Sequence, residues 1–120
     1  MRLVAEVLVG ALAVLHVWFL VLEMFLFRKS LGRKTFGTSA EDAEVMAALA
    51  GNQWLYNGFL AAGLAWSLIA PDPVALHFGV FFLGCVVTAG IYGGLTVSRR
   101  LLLAQALPAA MALPLVLLSN

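Results

Sequence analysis

One apolar run, residues 3–27, broken only by the ionisable side chains of Glu6, His16 and Glu23, constrains this chain more than any other feature. A helix of about 20 apolar residues is long enough to cross the hydrocarbon core of a bilayer. Three further runs follow. Residues 46–70 end at Pro71-Asp72-Pro73, residues 74–97 end at Ser98-Arg99-Arg100, and residues 101–118, the shortest, contain Pro108 and Pro114. Each of those two prolines removes a backbone donor, so the last helix is expected to be irregular there. The 120 residues are 63% hydrophobic and 11% charged, against roughly 45–50% and about 25% in soluble domains. A chain this short cannot hide so much apolar surface from water. The expected fold is therefore all-α, a single integral membrane four-helix bundle. The first run is too long for the apolar core of a secretory signal, about 7–15 residues, and reads as a retained span.

The sizeable polar connection covers residues 28–44. It opens with Arg28, Lys29, Arg33 and Lys34 and turns at Gly37. Thr38 with Glu41, and Ser39 with Asp42, have the spacing of a helix-capping box, so the second long helix should begin there, before its apolar part. Six of the seven Lys and Arg lie in the connections between runs one and two and between three and four; Arg2 is the seventh. Positively charged short loops stay in the cytoplasm, so both termini are expected on the other side of the membrane. The net charge of +1, with no basic stripe interleaved with aromatics, gives no footing for a nucleic-acid partner. Gly90 with Gly94, Ala89 with Gly93, and Gly58 with Ala62 are spaced for close helix packing. They predict a central third span and offer glycine-rich faces for a homo-oligomer.

Ionisable and amide groups within spans are expensive, so they normally face the interior or a cavity. His16 and Glu23, seven residues apart, share a helix face about 10 Å apart along the axis. The second span carries Asn52-Gln53-Trp54 and Tyr56-Asn57, the third Thr88, Tyr92 and Thr96 on successive turns, and the fourth Gln105. Counted from the span ends, these residues gather on the side of the basic loops, with His16 and Thr88 deeper. The expectation is a polar cavity that opens to the cytoplasm and ends near His16. The plainer alternative is an interhelical hydrogen-bond network with no ligand. His16 and His77 are the only histidines, and no metal-ligand spacing or cofactor motif accompanies them.

The stretches from His16 through Phe19-Leu20 to Leu22-Glu23-Met24-Phe25, from Asn52-Gln53 through Tyr56-Asn57-Gly58-Phe59 to Gly63, and Ala89-Gly90-Ile91-Tyr92-Gly93, followed by Arg99-Arg100 and Gln105 with Pro108, resemble a known bacterial family. It is the set of small integral membrane proteins classed as domain of unknown function 1304. The resemblance covers nearly the whole chain and implies four helices and a bacterial inner-membrane location, but no chemistry.

Three functions fit these residues. The first is an intramembrane site for a small lipophilic compound. Glu23 would be general acid or base, with His16 a second proton carrier or orienting donor. Asn52, Gln53, Tyr56, Asn57, Thr88, Tyr92, Thr96 and Gln105 would hold the polar group of the compound, and Trp54 its apolar body. Isomerisation, hydration or epoxide opening would suit such a site, with membrane lipid as the surrounding partner. The second is a small proton-coupled exporter, which the one-sided charge distribution disfavours. The third is a structural or accessory subunit that needs no buried acid.

Overall fold

The computed structural model describes residues 2–26 and 29–120. The side chains of Glu23, Met24, Phe36, residues 47–52 and Trp54 lie outside that description. Every regular element among the described residues is helical, as the apolar runs predict. In chain order they are α1 (Arg2–Met24), α2 (Ser30–Phe36), α3 (Ala40–Ile69), α4 (Val74–Thr96), a π-helical segment (Leu102–Ala106) and α5 (Leu107–Leu118), which continues the π segment directly. The polar connection adds α2, a short helix, and the fourth apolar run is divided by its change of helical pitch.

Local chemistry explains the boundaries. Gly37 adopts φ 67°, the left-handed conformation that closes α2, and its N–H donates to the Arg33 carbonyl. Two residues later Ser39 caps α3: its Oγ accepts from the Asp42 N–H at 3.1 Å. Glu41 and Asp42 then occupy the first turn, where the helix dipole favours negative charge. The Ser39→Ala variant should lose about 1 kcal/mol of stability. Thermal unfolding checks this, and an Asp at the same position should restore the loss. At the other end of α3, Pro71 cannot continue the ladder, and the cis Asp72-Pro73 bond turns the chain into α4.

The long helices pack as a ring of neighbours. α1 lies against α3 and α5, and α4 lies against α3, the π segment and α5. Their shared core contains Val9, Leu12, Leu64, Leu83, Val86, Ala109 and Ala112. α4 is one side of this ring and not its centre, contrary to the expectation from its glycines. Those glycines serve instead to seat the last helix. A β-carbon on Gly90 would stand 2.5 Å from the Ala106 backbone nitrogen, and Gly93 and Gly94 are packed beneath Leu101 and Leu102. All three are buried within the chain.

Two helical stretches, Arg2–Leu22 and Val74–Thr96, are long and apolar enough to cross a membrane. Leu55–Ile69 and Leu102–Leu118 are apolar but shorter. Large apolar side chains cover much of the outside: Val7, Val14 and Val17 on α1, Phe81 and Leu95 on α4, Leu103 and Met111 on the last helix.

Candidate functional site

The inward face of α1 is a stripe at helical spacing, Ala5, Val9, Leu12 and His16, each at most 3% exposed. The same periodicity that buries the three apolar residues takes His16 into the core, where it has no exposure at all. An unpaired imidazole there would carry a large desolvation penalty. Its partner comes from the irregular part of the last helix. Pro108 has no N–H to give the Ala104 carbonyl, and the preceding turn widens: the Leu107 N–H donates to the Leu102 carbonyl, five residues back. This widened turn carries Gln105 and Ala106, both buried. The absence of a side chain on Gly90 lets the turn sit against α4.

The hydrogen bonds fix the state of the ring. His16 Nδ1 lies 2.7 Å from the Leu12 carbonyl, which can only accept, so Nδ1 carries the proton. His16 Nε2 then presents a lone pair, and the Gln105 amide Nε2–H donates to it at 2.8 Å. The imidazole is neutral and both of its nitrogens are met. Phe19 stands edge-on to the ring, with centroids 5.7 Å apart. The result is one polar clasp, joining α1 to the π segment inside an apolar core.

Of the remaining expected site residues, those whose side chains are described do not converge on it. Thr88, Tyr92 and Thr96 stand on the exposed side of α4, with Tyr92 71% exposed. The two threonine hydroxyls donate to carbonyls of their own helix, Gly84 at 2.9 Å and Tyr92 at 2.7 Å. Bonded in this way they need no interior partner, so the stripe faces outward and does not line a shared cavity. Tyr56 and Gln53 are exposed as well, and Tyr56 packs edge-on against Phe59. Asn57 is partly buried and hydrogen-bonded or otherwise engaged. The expected roles of Glu23, Asn52 and Trp54 fall on side chains outside the described residues; their backbones lie in α1 and α3.

A cleft among the described residues lies at the opposite end from the basic loops, where no site was expected. Arg2, Glu6, Ser67, Asp72, Ser119 and Asn120 line its rim, with Val9, Gly79 and Val116 deeper. Its volume of about 50 Å³ is room for a few waters, far short of the roughly 300–1,000 Å³ of a ligand pocket. Arg2 reaches Glu6 at 3.4 Å and Asp72 at 3.7 Å, with both carboxylates about half exposed. Such pairs contribute little stability. The cleft was illegible in the sequence because its rim is assembled from both ends of the chain and the α3–α4 turn. No three His, Cys, Asp or Glu side chains among the described residues stand close enough to hold a metal ion.

The model of the family described as "Protein of unknown function (DUF1304)" matches residues 10–117. No curated protein and no solved structure matches the chain.

Proposed function

Since this chain belongs to the DUF1304 family, whose description carries no activity, we propose from the molecule itself that it is a multi-pass membrane protein binding a small lipophilic compound. In this reading four long helices, the π segment counted with α5, form a bundle in the inner membrane. Its termini lie outside the cytoplasm and its basic loops inside. The apolar side chains on the outside of α1, α4 and α5 support the membrane setting, because a water-soluble fold of this size rarely leaves so many uncovered.

The observation that carries the proposal is the His16–Gln105 clasp. A neutral imidazole lone pair held by an amide at a widened helical turn is a polar contact in which a ligand hydroxyl could take the place of the amide donor. π-Turns inside α-helices occur often at functional sites. Two helical turns towards the basic end of α1, Glu23 supplies the acid or base for any conversion of the bound compound. Gln105 and Asn57 remain in the ligand set; Thr88, Tyr92 and Thr96 leave it because they face outward. The competing reading is a structural or accessory subunit. It is favoured by the complete hydrogen bonding of His16, which holds two helices together without any ligand.

Native mass spectrometry of the full-length protein, extracted from membranes in mild detergent, separates the two. The ligand reading expects an added small mass on the wild type that Glu23→Gln reduces severalfold while the thermal midpoint stays put. Bare protein in both preparations would leave the structural reading standing.

A further inference from the structure

The cations of this chain collect at the end away from the cleft. Lys29 precedes α2, Arg33 and Lys34 lie on it, and Arg99 and Arg100 lead into the π segment. The ion pairs of Arg2 form at the opposite end, and none of these five cations is paired with a described carboxylate. Arg33 is the most telling of them. Its Nε is buried and meets no acceptor among the described residues, although the residue as a whole is only partly buried. Buried guanidinium donors are nearly always satisfied, so an orphan of this kind calls for an acceptor beyond the described residues. Lys29 stands one turn away, its carbonyl accepting the Arg33 backbone N–H at 2.9 Å.

Two of the three acids at the same end stand well away from this charge at α4. Gly63 against Phe82, and Gly79 against Ser67, set α3 and α4 in antiparallel register. The end of α4 at Thr96 is therefore level with the middle of α3. From there α3 runs on for about ten residues, or about 15 Å, to its start at Ala40. Glu41, Asp42 and Glu44 sit near that far tip, while Arg99 and Arg100 sit near its base. Along the axis Glu41 and Asp42 stand about 12–13 Å from that level, beyond a Debye length of about 8–10 Å, and Glu44 stands about 9 Å from it.

We propose that this end binds the phosphate of anionic phospholipid headgroups, with Arg33 as the anchoring donor and Lys29 and Lys34 beside it. Arg99 and Arg100 present the same charge on the α4 side. The planar guanidinium offers paired donors that suit phosphate oxygens, and it is more weakly hydrated than an ammonium group. The cations lie where the apolar helices end, which is the depth of a headgroup layer. This inference rests on the membrane reading above.

The test titrates full-length protein in neutral detergent with phosphatidylglycerol, phosphatidylcholine or inorganic phosphate, with binding followed by native mass spectrometry. Phosphatidylglycerol should bind more tightly than phosphatidylcholine. Arg33→Gln should weaken it about fivefold, the effect of one cation near an anionic surface. Arg33→Lys, which keeps the charge but not the paired donors, should fall between the two. Equal binding by wild type and Arg33→Gln would overturn the proposal. So would displacement of the lipid by equimolar inorganic phosphate, which would mark a free-anion site. Reconstitution into phosphatidylcholine vesicles is read separately: a chain that alkaline carbonate washes off the vesicles refutes the membrane setting itself.

Discussion

Replacing Gly90 by Ala will destabilise the fold by about 3 kcal/mol, near the upper end of what overpacking usually costs. The added methyl would stand 2.5 Å from the Ala106 nitrogen and 2.8 Å from its α-carbon. Real β-carbons do not approach backbone atoms so closely, and backbone cannot swing aside as a side chain can. The π segment would have to retreat from α4 and take Gln105 with it. Gly63 shows the gentler version of the same problem, because what its β-carbon would meet is the Phe82 ring. Gly84 supplies the control. Nothing lies within 4 Å of a β-carbon there, so Gly84→Ala should be neutral, or stabilising by up to about 1 kcal/mol through helix propensity. Thermal unfolding of the two variants in one detergent compares them directly. Equal midpoints would mean that the packing of α4 on the last helix is looser than described here.

Gln105→Leu should be the second large loss. It leaves the lone pair of His16 Nε2 buried with no donor, a penalty of about 1–3 kcal/mol. His16→Leu likewise strands the Gln105 amide. The double variant has nothing left to satisfy, so its loss should be smaller than the sum of the single losses. The coupling should fall between about 0.6 and 1.7 kcal/mol, the average and maximum of interhelical polar pairs in membrane double-mutant cycles. Strict additivity would show that the 2.8 Å contact does not join the helices. Chemical shifts of the ring nitrogens give an independent reading. In the wild type, Nδ1 should carry the proton and Nε2 should not.

The sequence made the helical class legible because apolar runs of 18 residues or more are far longer than strands and suit helices. The start of α3 was equally clear, since Ser39 and Gly37 act through strictly local geometry. The direction of the polar residues was not. Where nearly every face of a helix is apolar, spacing can group Thr88, Tyr92 and Thr96 into one stripe but cannot say which way the stripe points. The threonines resolve their polarity against their own helix, which spacing also does not reveal. His16 and Gln105 each stand out in the sequence, but their direct contact depends on a widened turn. Pro108 hinted at irregularity there without fixing its form. The glycines of α4 announced close packing; only the tertiary arrangement identified their neighbour as the last helix.

The clasp also has a consequence for timing. His16 and Gln105 are 89 residues apart in the chain, and a chain is made from its N-terminus onward. The imidazole is therefore synthesised long before its donor, and the one fully buried polar side chain described on α1 must wait for the π segment before it is at rest. Any product that stops short of residue 105 carries an unanswered histidine.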